Sequence, residues 1–407
     1  MENPTLIPHL FRSEFANIVA VMARYFGAAN VDAAEDVVSE TFVHALETWP
    51  YKGIPDNPRA WLYTVAKHKA LNVIRRDKNF HEKVTEEIRK SNLASEAEID
   101  FSDTNISDSQ LQMLFAVCHP AIALDSQVAL ALRLLCGFGI DEIANAFLTN
   151  KDAITKRIYR AKEKLRSEKI LIEFPPPPQM SIRIDAVLRT LYLLFSEGYC
   201  SESDDSVIRE ELCIEGIRLT NLLTRSEETN FPAVNALLAL MCFHASRLRA
   251  RKNHGGEIVL YDEQDESLWD QELIARGVYY LHEASQGKAV SKYHLEAAIA
   301  WWHTIKKDSQ EKWDNILQLY NQLLKVEFSP IAALNRTYAL SKVHGNDLAI
   351  REAEKLQLNN NQYYFALLGE LYKTTDKTAS RKNFERALEL ARTVPARAVI
   401  TKKMSEL

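Results

Sequence analysis

Apolar residues recur at three- and four-residue steps along almost the whole chain, while runs of strict apolar and polar alternation are scarce. The first spacing stripes one face of a helix and the second marks a half-buried strand. The pattern therefore predicts an all-α protein. Only 12 Gly and 13 Pro interrupt 407 residues, which leaves long stretches free to stay helical. Two segments break the rhythm. His81 to Ser109 is acidic, poor in aromatics and without a sustained apolar face, which predicts a flexible linker over 81–108. Phe174 to Met180 carries four consecutive prolines, which favour an extended spacer over 173–180. Two small helical domains, 1–80 and 109–172, and a long helical extension, 181–407, remain.

Within the second small domain, residues 140–166 read as two short helices around a tight turn. Ile143, Ala144, Phe147, Ile154, Ile158, Ala161 and Leu165 fall at helical spacing and face inward. The outward positions are basic. From Lys151 to Lys169 there are eight Lys or Arg against three acids, in a chain whose total charge is −5. This is the layout of a helix-turn-helix whose second helix enters a DNA major groove. With Ile154 and Ile158 inward, the opposite face holds Asp152, Lys156, Tyr159, Arg160 and Glu163. Lys156 and Arg160 are the candidates for reading base edges, because such donors match guanine. Lys151, Thr155, Arg157, Lys162 and Lys164 flank that face and suit phosphates, which position without specifying.

Upstream, Asp32 to Trp49 forms an amphipathic helix with an acidic outer side, followed by the loop Tyr51 to Asn57. Pro58 to Lys78 then places Trp61, Leu62, Val65, Ala66, Leu71 and Ile74 inward and Lys67, His68, Lys69, Arg75 and Arg76 outward. Basic and aromatic residues interleaved on one helix suit a surface that holds phosphates and stacks on unpaired bases.

Taken together, these segments resemble the sigma-70 family, specifically the extracytoplasmic-function sigma factors. The run Ala34-Glu35-Asp36-Val37-Val38-Ser39-Glu40-Thr41-Phe42 is similar to the helix that docks on the clamp of RNA polymerase in that family. The resemblance implies Glu35, Asp36 and Glu40 as polymerase contacts. Arg59 to Arg76 resembles the helix that opens the promoter −10 region. It implies Tyr51, Lys52, Asn57, Trp61, Lys67, His68, Lys69, Asn72, Arg75 and Arg76 as −10 contacts, with an extruded base held by the loop before Trp61. The helix-turn-helix is similar to the domain that reads the −35 element, which implies Lys151, Asp152, Thr155, Lys156, Arg157, Tyr159, Arg160 and Lys162 there. Ser39, Lys67, His68 and Asn72 depart from the common family residues and leave the −10 base preference open; Leu148 replaces a common turn glycine.

The extension reads as antiparallel helical pairs. Its last pair carries Phe365, Leu368, Gly369, Tyr372, Ala379, Phe384 and Ala387, close to tetratricopeptide spacing. Ala186 to Ser203 and Gly256 to Ile274 resemble stretches of the sigma subgroup with such an extension, which implies contacts between the extension and the promoter domains that regulate activity in cis.

Other chemistry is excluded by what is missing. The histidines show no paired-ligand spacing, the acidic run Tyr261 to Glu266 lacks a glycine-turned calcium loop, and phosphate-cradling and nucleophile-elbow motifs do not occur. No metal, cofactor or catalytic residue is expected, and the chain is not expected to be an enzyme. Five cysteines in no paired spacing, and no run long enough to span a membrane, predict a cytoplasmic protein. The expected partners are core RNA polymerase and promoter DNA. The alternative is a regulator that binds operator DNA alone through residues 140–166, with the repeats as effector domain.

Overall fold

The computed structural model describes residues 6–76, 99–147, 149–199, 210–251, 259–287, 289–391 and 393–407. It is all-α: 18 α-helices and a few single 3-10 turns, with no strand among the described residues. The chain forms two compact units, Met1–Leu194 and Phe195–Leu407.

The first unit is built around α1 (Leu6–Phe26), whose Phe15, Ile18, Val19, Met22 and Phe26 are fully buried. Gly27, at φ 83°, turns the chain through a region that only glycine adopts without strain, and α2 (Val31–Lys52) folds back. Pro50 lies inside α2, so Tyr51 and Lys52 close that helix and the loop expected from Tyr51 shortens to Gly53–Asn57. Gly53 (φ 81°) caps it by donating to the Trp49 carbonyl at 3.0 Å. Next comes α3 (Pro58–Arg76), with proline in the first position, where its missing N–H costs nothing.

Residues 77–98, which include 81–98 of the expected linker, lie outside the described residues, but the linker's last part is ordered. Ser102 accepts from the Asn105 amide and starts α4 (Asp103–Val117) six residues earlier than the periodicity placed the second domain. Every residue of α4 from Ser109 to Val117 is buried. A helix buried on all sides needs neighbours all round. They are α1, α5 (Leu124–Leu135), α7 (Lys151–Ser167) and the first turns of α8 (Pro177–Tyr199). The two segments read from sequence as separate small domains are thus packed into one unit. The proline run also behaves differently from an extended spacer: Pro177 and Pro178 open α8, since proline is tolerated in a first turn. Arg183 then donates to the Phe115 carbonyl and Thr190 to the Gln127 side chain (2.7 Å), fastening α8 to the first unit.

The second unit is a succession of antiparallel helices: α9 (Glu210–Leu223), α10 (Pro232–Ala245), α11 (Gln271–Ser285), α12 (Lys292–Trp302), α13 (Gln310–Val326), α14 (Pro330–His344), α15 (Asn346–Glu354), α16 (Gln362–Tyr372), α17 (Lys377–Leu390) and α18 (Val394–Ser405). Its cores are local and sequential. Leu295, Ile299, Leu323 and Ala332 form one; Trp313, Ile316, Leu317, Ala339 and Leu340 the next; Leu334, Ile350, Tyr364 and Leu368 another; Phe384, Ala387, Ala391 and Ile400 the last. Each stretch therefore depends mainly on its neighbours. Gly369 shows why a small residue is needed: a Cβ there would sit 2.8 Å from the buried Phe384 ring.

Cys118, Cys136, Cys213 and Cys242 are buried and unbridged, and burial pushes the thiols of Cys118, Cys213 and Cys242 up to about 12; Cys200 lies outside the described residues. Among the described residues no helix is long and apolar enough to cross a membrane. No cluster of metal-ligating side chains occurs among the described residues. Asp265, from the acidic run, accepts from the Ser267 amide at 2.9 Å, a capping role.

Candidate nucleic-acid interface

Helices α6 (Ile140–Ala146) and α7 form the basic element. The Glu142 carboxylate accepts from the Gly139 amide at 2.7 Å to start the first, and Asn150 accepts from the Ala153 amide at 2.8 Å to start the second. Ile143 and Ala144 on α6, and Ile154, Ile158, Ala161 and Leu165 on α7, are buried, which fixes the orientation of α7. Phe147 is half-buried and Leu148 lies outside the described residues.

That orientation leaves Asp152, Thr155, Lys156, Tyr159 and Arg160 exposed, Tyr159 by 63%. Lys156 and Arg160 form no ion pair among the described residues. Charge and reach suit this strip to a polyanion. Its flanks are less free: Lys151 pairs with Asp141 at 3.0 Å and Arg157 with Asp125 at 3.5 Å.

Lys162 differs most from its expected role. Its ammonium lies in contact with Glu35 and 2.6 Å from Asp32, and its side chain is only 15% exposed. Arg166 on the same face contacts Asp32 and donates to the Ala29 carbonyl at 3.0 Å. Arg133 of α5 reaches Glu35 from another side at 2.7 Å. Burial opposes the charge on Lys162, but the two carboxylates outweigh it and hold its pKa above the ordinary lysine value. A residue expected on DNA phosphate and one expected on polymerase thus satisfy each other. Asp36 stays exposed, its carboxyl raised by partial burial and then by Asp32, Glu35 and Glu40. Glu40 pairs with Lys69 of α3 at 3.0 Å.

On α2 and α3, the Trp61 ring is half-buried between Trp49 (centroids 5.3 Å, edge-on) and His44 (5.6 Å, stacked). Tyr51 is 89% exposed beside exposed Lys52. Asn57 is engaged as a cap, accepting from the Ala60 amide at 3.0 Å. Lys67 is half-buried; His68 and Asn72 are exposed. Arg75 and Arg76 belong to α3, but their side chains lie outside the described residues.

Sequence reasoning missed the network that ties α3 to α1 and α4. Arg59 donates to the Tyr63 hydroxyl at 2.7 Å and pairs with Asp103 at 2.9 Å. Tyr63 donates to Glu14 at 2.5 Å, and its ring stacks on Phe101 with centroids 4.5 Å apart. Burial, and then the Glu14 hydrogen bond, raise the Tyr63 phenol well above its ordinary value. The only hint in the sequence was Phe101, an aromatic in an otherwise aromatic-poor stretch.

Residues 10–80, which take in most of α1 and all of α2 and α3, match the family described as sigma-70 region 2. Residues 183–285, from α8 to α11, match a family of unknown function, DUF6596. An uncharacterized protein of Rhizobium meliloti (strain 1021) is 33% identical over 399 residues, spanning 96% of this chain and 93% of its own length. No solved structure matches.

Proposed function

Because residues 10–80 match sigma-70 region 2, we propose that the chain is a sigma-70 family member and a promoter-specificity subunit of RNA polymerase of the extracytoplasmic-function type. The observation that carries this reading is the pairing of a sigma-70 region 2 match over 10–80 with the exposed Lys156 and Arg160 on α7. Region 2 alone would dock on polymerase and engage the −10 element. A second, basic reading helix supplies the −35 contact, and Lys156 and Arg160 have the donor geometry for guanine edges. Tyr51, Lys52 and the half-buried Trp61 would receive a base leaving the stack, and such extrusion costs a few kcal/mol to be repaid by stacking. The protein acts by binding, in the cytoplasm with core polymerase, and needs no cofactor or metal.

In this reading the structure is a closed form. Glu35 cannot meet polymerase while Arg133 and Lys162 hold it, so assembly exchanges those cations for groups on the clamp and frees Lys162 for phosphate. The extension regulates this exchange in cis. Purified full-length protein added to core polymerase should produce discrete starts in a genomic run-off experiment, and absence of any start sinks the proposal. Removing residues 200–407, which keeps α8 intact on the first unit, should change either polymerase binding or start-site yield. If both are unchanged, regulation in cis is wrong.

A further inference from the structure

In the second unit, charged and aromatic side chains converge on the ring of Tyr261 without neutralising one another. Arg247 is 7% exposed, and its guanidinium carbon lies 5.4 Å from the ring centroid. Lys312 is 1% exposed, with its ammonium 5.2 Å from the same centroid, donating to the Tyr261 hydroxyl at 3.1 Å and the Ile305 carbonyl at 2.7 Å. Among the described residues neither cation forms a salt bridge. Asp262 and Asp308 face the cluster only at longer range, and Asp308 is engaged by the Trp313 indole N–H and by Lys342 at 3.8 Å.

Polar atoms without partners gather at the same place. Arg247 Nε, Trp269 Nε1, His244 Nδ1 and Gln264 Oε1 are four of the eight buried side-chain polar atoms among the described residues that lack a hydrogen-bond partner. The Trp269 ring lies 6.2 Å from Tyr261, and the Asp270 amide donates to the Ser246 carbonyl at 2.8 Å, bringing Trp269 beside Arg247. His303 meets Tyr261 edge-on at 5.3 Å. Burial, then Arg247 and Lys312, push the His303 imidazole down to about 3, so it adds no charge at neutral pH.

A buried charge is ordinarily paired, because desolvation of a lone ion is unfavourable. Water could satisfy the Trp269 donor and the Gln264 acceptor but would not neutralise two buried cations. What the cluster lacks is an anion with oxygen acceptors, which a guanidinium recognises in its fork. We propose that Arg247 and Lys312, beside the Tyr261 and Trp269 rings, bind a small oxyanion. Two cations match a phosphate dianion best, and a carboxylate carries the same oxygen chemistry with one charge. This site is independent of promoter binding and stands or falls without it.

The test is isothermal titration of the full-length protein with inorganic phosphate and, separately, with acetate, each against chloride at equal ionic strength. Saturable binding of phosphate is expected, with acetate weaker. Saturable binding of acetate alone would also support the site and assign it to carboxylates. Arg247→Gln and Lys312→Met should each weaken binding at least tenfold, while Lys156→Ala/Arg160→Ala leaves it unchanged. Should either variant at the cluster fail to fold, the wild-type protein decides by NMR: the His303 ring resonances shift on phosphate or acetate addition and not on chloride. No saturable binding of either anion, binding that follows Lys156 and Arg160, or a silent His303 overturns the proposal.

Discussion

The two units bury positive charge in opposite ways. Lys162 in the first is mostly covered and held between two carboxylates, which keep its ammonium above the ordinary value against the opposing effect of burial. Lys312 in the second is almost completely covered and has no carboxylate in contact among the described residues, and burial drives its ammonium below the ordinary value. The first arrangement is complete in itself, joining α2, α5 and α7 through one acid. The second is incomplete in itself. Internal pairing locks a conformation, whereas unpaired buried charge keeps a place for something else.

The comparison breaks most severely at its centre. Glu35→Ala leaves Arg133 without its acid and Lys162 with Asp32 alone, and should cost the first unit up to about 3–5 kcal/mol, the range for removing one partner of a buried pair. Urea unfolding checks this, and adding Lys162→Met should recover part of the loss. If Glu35→Ala changes stability by less than 1 kcal/mol, the pairing is not what holds α7 to α2.

A pH titration sharpens the contrast from the other side. His303 is depressed to about 3, and His244, fully enclosed, is held well below the ordinary value by burial and then by Arg247, Arg251 and His303. Both protonate more readily in the unfolded chain. Their contribution to stability is therefore complete above pH 6.5 and is lost as pH falls towards the folded values. The expected slope is about 1.4 kcal/mol per pH unit for His303 over that window, with a contribution of the same sign from His244. His303→Gln should shallow the slope measured by denaturant melts between pH 6.5 and 4.

Smaller effects come from packing and from the surface. Gly369→Ala puts a methyl against the Phe384 ring at 2.8 Å and should destabilise the second unit by about 1–3 kcal/mol. At Gly345 nothing lies within 4 Å of an added Cβ, but φ 85° with ψ 168° is a region that only glycine adopts without strain, so alanine there should also cost about 1–3 kcal/mol. Glu40→Gln removes an ion pair whose acid is 68% exposed and should alter stability by about 1 kcal/mol or less. Thermal melts should show both glycine variants destabilised more than Glu40→Gln.

Much of the fold was legible in the spacing of apolar residues. The inward positions of α6 and α7 and the helical pairs expected in the extension follow from three- and four-residue steps, which depend only on neighbours in sequence. Punctuation was read less well. Pro177 opens a helix because a first-turn N–H has no intrahelical partner, Pro50 stands near the end of α2 at the loss of one intrahelical hydrogen bond, and Ser102 begins a helix within an acidic stretch that looked structureless. The α18 helix was missed, since Val394 to Ser405 carries only a weak apolar face. Contacts between distant segments were not legible. Lys162 and Glu35 are 127 positions apart, and no local pattern distinguishes a base that meets phosphate from one that meets a carboxylate of its own chain. The Tyr261 cluster draws His244, Arg247, Trp269, His303 and Lys312 from separate elements, so no motif spacing announced it.

The central claim is that α7 reads promoter sequence when polymerase carries the chain. Start sites should be mapped across genomic DNA with core polymerase and wild-type protein, the Lys156→Ala/Arg160→Ala variant, or Lys164→Ala. We predict that the double variant loses a specific subset of starts while Lys164→Ala lowers all of them uniformly, as base and phosphate contacts should. An unchanged start profile in the double variant would contradict the account.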